Sequence, residues 1–346
     1  MKQAALTGIG KIEIIDGPKP ILKDDNDVLL KIHTVGICGS DMHYYKEGKI
    51  GEQIIKFPFV VGHECSAMVE EIGLKVKRVK VGDLVAIEPN VACHHCEQCK
   101  KDRENTCLNQ KFLGAPQQLD GGLAEYIIMP ESNCFPVPAN ISGEMAALIE
   151  PLSIGYYSAT FVQKLKHVDS ITILGVGPIG LAVLHSLKSM SYKNIFATDK
   201  LDYRLEASQK AGTVFTGNPD KEDIVSKFKQ KNPDLFDVVV ECCGKQEAID
   251  QGIKLLKPGG LLLIVGIPEV ERISFDISLI RRKEITIQNV RRQNNGIQPA
   301  IDLTPYGKWS PGSMITHRFP VEKADEAFNI VKDYKDGVVK AMVYFQ

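Results

Sequence analysis

The chain has 346 residues, more than a single hydrophobic core usually serves, so two domains are expected. With 44% hydrophobic and 25% charged residues and a formal net charge of -1, the composition is that of an ordinary globular protein with no basic bias toward nucleic acid. Met1–Lys11 has no apolar secretion-signal region and no apolar run reaches bilayer length, so no membrane partner is expected and the cytosol is the expected compartment; there, nine cysteines read as metal ligands and free thiols rather than disulfides.

From Val28 to about Pro138 the chain runs in short apolar-alternating stretches, Val28–Ile32, Ala67–Ile72 and Leu84–Ile87 among them, broken by Gly, Pro and Asp. This pattern predicts a β-rich domain. Cys38, His63 and Glu64 lie there in turn-forming sequence, and each is a competent zinc ligand, although separately each is also an ordinary core or surface residue. Cys93, Cys96, Cys99 and Cys107 are spaced C-x-x-C-x-x-C-x(7)-C, which predicts a closed four-thiolate zinc cage that holds a loop together and performs no chemistry. Between about Ser142 and Val162, Met145, Leu148, Leu152, Tyr156 and Ala159 fall on one face of a predicted connecting helix.

From Ser170 the style changes. Strand candidates at Ile171–Leu174, Ile195–Thr198, Val238–Glu241, Leu261–Val265 and Ile285–Gln288 alternate with helical connections, which predicts a doubly wound parallel sheet of the α/β class. Gly175-x-Gly177-x-x-Gly180 follows the first of these strands and opens a helical segment from Leu181 to Met190, and Asp199 closes the second strand. Strand, glycines, helix and acid in that order predict a dinucleotide site: the glycines admit a pyrophosphate and the acid accepts from ribose hydroxyls. A carboxylate at Asp199 disfavours a 2′-phosphate, so NAD is expected over NADP, a preference that nearby Arg204 softens. An amphipathic helix from Val321 to Asp333 and a strand over Val338–Phe345 complete the predicted elements.

A nicotinamide site beside candidate zinc ligands is what alcohol oxidation needs, since zinc acts as a Lewis acid toward the substrate oxygen. GICGSDMHYY (Gly36–Tyr45), GHE (Gly62–Glu64), the cysteine loop, DGGLAEY (Asp120–Tyr126), LIEPLSIG (Leu148–Gly155), GVGPIG (Gly175–Gly180) and THRFP (Thr316–Pro320) occur in an order in which the whole chain resembles the zinc-dependent medium-chain dehydrogenases, closest to their sorbitol (polyol) branch. The resemblance implies a GroES-like catalytic domain over 1–150 and 290–346, carrying a structural zinc loop at 93–107, and a Rossmann NAD-binding domain over 151–289, with the active site in the cleft. It implies one catalytic zinc at Cys38, His63, Glu64 and Glu150, with either acid as direct ligand or holder of the zinc water. A second, structural zinc is implied in the cage. Glu150 separates the polyol and threonine enzymes from alcohol dehydrogenases, whose corresponding ligand is typically cysteine.

By the same resemblance Ser40 and His43 are relay positions for the departing proton, and Tyr44, Glu150, Arg291 and Arg292 line the polyol pocket. Gly175, Gly177, Ile179, Gly180, Asp199, Arg204, Val265, Gly266, Ile267, Val290 and Arg291 are implied contacts of NAD. A homotetramer acting on a small-molecule polyol is implied. The chain departs from the animal sorbitol enzymes in having the cysteine cage and in Arg292, which is aromatic there; two adjacent arginines also suit an anionic substrate such as a sugar-alcohol phosphate. Threonine or another secondary alcohol is the competing substrate class, and an inactive zinc- and nucleotide-binding structural protein or a methyltransferase the more distant readings.

Overall fold

The computed structural model describes residues 1–268, 270–304 and 311–345. The chain folds as two compact units, one of Met1–Glu150, Ile297–Pro305 and Ile315–Gln346 and the other of Pro151–Gly296 and Tyr306–Met314.

The first unit is β-rich. Its main sheet runs in the order Cys134–Pro136, Leu84–Ile87, Glu64–Ile72, Asp27–Gly36, Lys340–Tyr344 and Ile315–Pro320, with Tyr126–Pro130 also paired to Asp27–Gly36. The central strand Asp27–Gly36 is antiparallel to its neighbours, and its register shifts at Leu29/Leu30 and Ile32/Thr34 bend it while Val28, Leu30, Ile32 and Val35 stay buried. Helix Ala324–Lys332 buries Ala324, Ala327 and Phe328, one helical face, and Phe328 packs on Tyr45 with ring centroids 5.3 Å apart. The expected start of that helix at Val321 is instead a tighter 3-10 turn, Val321–Lys323, directly after Pro320. An N-terminal hairpin, Lys2–Gly8 with Lys11–Asp16, is not apparent from the sequence pattern, because Ala4, Ala5 and Leu6 are buried in succession and give no alternation to read.

The second unit is a six-stranded, all-parallel sheet ordered Phe215–Gly217, Ile195–Thr198, Ile171–Leu174, Phe236–Glu241, Leu256–Ile264 and Thr286–Asn289. Ile171–Leu174 and Ile195–Thr198 are buried at every residue, which is why they read as continuous apolar runs. Strand order reverses beside Ile171–Leu174. Right-handed crossovers then place the helices of the two halves on opposite faces and open a crevice at that point. The chain stays with this unit to Gly296 and does not leave it at 290: the Gly296 N–H bonds Gln293 Oε1 at 2.5 Å, and a Cβ on Gly296 would come within 2.8 Å of the Ser153 carbonyl oxygen. The connecting helix spans Gly143–Gln163 with Pro151 inside it. Among the described residues no helix is long and apolar enough to cross a membrane.

Candidate active site

Among the described residues, two clusters of metal-ligating side chains stand in the first unit. In the cysteine loop the sulfurs of Cys93, Cys96, Cys99 and Cys107 are separated by 4.0 Å (Cys93–Cys99), 3.5 Å (Cys96–Cys99), 3.8 Å (Cys96–Cys107) and 3.5 Å (Cys107–Cys93). A tetrahedron with zinc–sulfur arms of about 2.3 Å has edges of about 3.8 Å, whereas a disulfide needs about 2.05 Å, so these positions fit zinc and not bridges. Backbone donors prepare the sulfurs: the N–H of His95 draws the Cys93 thiol down to about 5, and those of Cys99 and Leu108 lower Cys96. Cys99 is pushed up to about 12, by burial first and then by Cys96 and Cys107. All four can be thiolates together only with a cation among them.

In the second cluster the ligand atoms of Cys38, His63 and Glu64 all lie within 4.8 Å of one another, and His63 and Glu64 are buried. Topology brings them together. Cys38 follows the central strand and caps helix Gly39–Glu47, while Glu64 opens the neighbouring strand in register with Gly36. Gly36 has to lack a side chain, because a Cβ there would overlap the Glu64 carboxylate. Asp41, 1% exposed, accepts from the Cys38 N–H at 3.0 Å and the Gly62 N–H at 3.3 Å and sits 3.6 Å from His63 Nδ1. A carboxylate on Nδ1 directs the other ring nitrogen toward a metal. Burial opposes a charged imidazole, yet Cys38 and Asp41 outweigh it and raise His63 well above its usual value, so the surroundings favour positive charge at this place. The donor set fits zinc. Glu150 is buried at 4% exposure and lies outside the 4.8 Å set, although its charge is felt at Cys65 and Lys340.

The second unit holds the glycine-rich turn. Gly175 has φ of 89°, helix Pro178–Ser189 starts after Gly177, and a Cβ on Gly180 would strike the Gly175 carbonyl. Asp199 accepts from the Val176 N–H at 2.9 Å and the Leu201 N–H at 3.0 Å, with Arg204 Nη1 3.9 Å away. Each carboxylate oxygen keeps a second lone pair for a ligand hydroxyl.

The alcohol dehydrogenase GroES-like domain family matches residues 24–139, and the zinc-binding dehydrogenase family matches 178–304. The chain belongs to the zinc-dependent medium-chain dehydrogenases. It is 35% identical to sorbitol dehydrogenase of Bacillus subtilis over 99% of this chain and 97% of that one, and 36% identical to a probable D-xylulose reductase A of Aspergillus clavatus over 94% and 92%. Among solved structures, an Escherichia coli oxidoreductase/dehydrogenase of unknown specificity superposes with a TM-score of 0.92 at 31% identity, covering 100% of this chain and 99% of that one. A GroES-like unit and a Rossmann unit, joined in one dehydrogenase, account for the two folds described above.

The remaining expected positions in this dehydrogenase are spread over both units. Ser40 and His43, three residues apart on helix Gly39–Glu47, are half-buried. Tyr44 is 4% exposed and its hydroxyl donates to Gln53 Oε1 at 3.1 Å. Ile179, Val265, Gly266 and Val290 are partly exposed at strand and helix ends, and Ile267 is 53% exposed and so is not core packing. Arg291 is exposed, and Arg292 has a left-handed backbone with φ of 52°. Two residues carry the zinc-site geometry without standing out in the sequence. One is Asp41. The other is Lys340, 1% exposed, whose ammonium donates to both Glu64 oxygens at 2.8 and 2.7 Å and to the Ile37 carbonyl at 3.0 Å. Its signal is a lysine inside the apolar run from Val338 to Phe345.

Proposed function

We propose that this protein is an NAD-dependent polyol dehydrogenase that oxidises a secondary alcohol of a sorbitol- or xylitol-like substrate to the ketose. The observation that carries the reading is the donor set of half-buried Cys38 with buried His63 and Glu64, in a chain that also carries the glycine-rich turn and Asp199. The names borne by the Bacillus and Aspergillus relatives point to the same substrate class.

When bound, zinc supplies Lewis-acid polarisation of the substrate hydroxyl and NAD accepts the hydride. Cys38 and His63 would hold the ion together with Glu64 or Glu150, and Asp41 would fix the ring orientation of His63. The acid that does not ligate would stand beside the ion, and Lys340 offsets the charge of Glu64. Ser40 and His43 pass the hydroxyl proton outward. Tyr44, Arg291 and Arg292 face the polyol, where an arginine can donate several hydrogen bonds to successive hydroxyls. Asp199 takes the adenosine ribose and disfavours a 2′-phosphate, while Gly175, Gly177 and Gly180 admit the pyrophosphate and Ile179, Arg204, Val265, Gly266, Ile267 and Val290 complete the cofactor contacts. Cys93, Cys96, Cys99 and Cys107 hold the structural zinc.

The partner is a second copy of the chain, assembled into a tetramer in the cytosol. Val270 (52% exposed), Phe275 (38%) and Ile277 (72%) expose apolar side chains within one short segment, which supports self-association. Adjacent Arg291 and Arg292 favour a second reading, a sugar-alcohol phosphate. Initial rates of NADH formation on sorbitol, xylitol, galactitol, a hexitol phosphate, threonine and 2,3-butanediol decide between them. Sorbitol or xylitol is expected among the best, and a tenfold preference for threonine or the phosphate overturns the polyol assignment. Sedimentation velocity checks the tetramer.

A further inference from the structure

Glu241 is completely buried at the end of strand Phe236–Glu241, where a carboxylate closes the apolar run Val238–Val240. One side-chain oxygen, Oε1, accepts from the Cys243 N–H at 2.7 Å and the Gly244 N–H at 2.6 Å. The main-chain oxygen accepts from the Val265 N–H at 2.9 Å and the Gly266 N–H at 3.0 Å. The other carboxylate oxygen accepts no N–H or O–H among the described residues, and a Cβ on Gly266 would lie 2.8 Å from it. Two loops leaving adjacent parallel strands are thus tied to a single residue. They also touch: a Cβ on Gly244 would strike the Ile267 carbonyl, and a Cβ on Gly175 would come within 2.9 Å of Cys243 Cβ. Cys242 N–H reaches back to the Leu174 carbonyl at 2.8 Å. Glu241 therefore stands behind the ends of three neighbouring strands, at the point where the strand order reverses and an open parallel sheet receives its ligand.

We propose that Glu241 is a positioning residue for the dinucleotide: its carboxylate sets the spacing of loops 242–244 and 265–267 against the glycine-rich turn, and NAD binds only when that spacing is held. The inference rests on the NAD-binding reading above. One buried side-chain oxygen accepting two backbone N–H groups fixes their distance and direction, a role that rests on its reach rather than on its charge. Since its free oxygen has no access to solvent, Glu241 acts through the loops and not by touching the cofactor.

The test is NAD titration calorimetry on the intact protein. Wild-type protein that takes up no NAD defeats the cofactor assignment itself. With wild-type binding in hand, Glu241→Asp, which keeps the charge but withdraws the carboxylate by one methylene, should weaken NAD at least tenfold. Glu241→Gln, which keeps both reach and acceptor, should stay within about threefold of wild type, and in both variants kcat at saturating NAD should change less than KM for NAD. A Glu241→Asp protein that melts earlier but binds NAD with wild-type affinity has lost only stability, and the proposal then fails. Should the Asp variant not fold, hydrogen exchange on the wild-type protein decides. NAD must slow exchange at Cys243, Gly244, Val265 and Gly266, and unchanged rates there overturn the proposal.

Discussion

At the scale of single residues, the chemistry of the zinc site depends on partners that are not themselves ligands. Asp41 is held by two backbone N–H groups and presents its carboxylate to His63. Removing such an orienting group typically weakens a metal site 10- to 100-fold. Asp41→Ala should therefore lower zinc affinity by about that factor in a chelator competition, while the cysteine-loop ion is retained. Lys340 and Glu64 form a pair with both side chains 1% exposed. Glu64 deprived of its counter-charge is a buried, unpaired carboxylate, and Lys340→Met should lower the unfolding free energy of the ion-free protein by about 3–5 kcal/mol in urea titrations. A loss under about 1 kcal/mol would show that another group neutralises Glu64. Ligand-type residues in turn sequences, Cys38 and His63 among them, are legible because metal chemistry restricts the choice of side chain. Asp41 and Lys340 are not, because only the folded register shows what a surface-type residue faces.

At the scale of elements, strands of the parallel sheet were legible where both faces are buried, as at Ile171–Leu174, since continuous apolar sequence is then required. Phe215–Gly217 was not, being three residues long with only Gly217 fully buried. The cysteine loop owes its shape to its four sulfurs, because around them it offers only 3-10 turns, Cys99–Lys101 and Glu104–Thr106, and no core of its own. Cys99→Ser should release one of two zinc ions per chain by elemental analysis, and make 93–107 the first segment cut by added protease. Helix Pro178–Ser189 contains His185, 6% exposed, whose proton affinity burial lowers to about 4. The unfolded chain takes up that proton near pH 6.5 and the folded one only near 4. His185 thus costs no stability above about 6.5 and up to about 3 kcal/mol as pH falls through that window. His185→Leu should flatten the difference in unfolding free energy between pH 7 and pH 4.5. An unchanged slope would place the titrating group elsewhere.

At the scale of the whole molecule, the change from period-two patterning to strand–helix alternation shows two folds in the sequence, and the first unit still regains the chain after the Rossmann segment. The point of return was less legible, because Gln293 and Gly296 pack on the backbone rather than through an apolar pattern. A ligand that binds only the native state at a hundred times its dissociation constant adds about 2.7 kcal/mol to stability. NAD should raise the melting temperature accordingly, and NADP at equal concentration should raise it far less. The sheet of the first unit places Lys340–Tyr344 against Asp27–Gly36, so the ammonium that balances Glu64 is encoded 276 residues after it. At translation rates of about 5–20 residues per second, the nascent carboxylate waits roughly 14–55 s for its partner. During that interval Lys340 does not balance its charge. The pairing that balances Glu64 is thus available only once residue 340 has been made, and a chain truncated before it lacks that ammonium altogether.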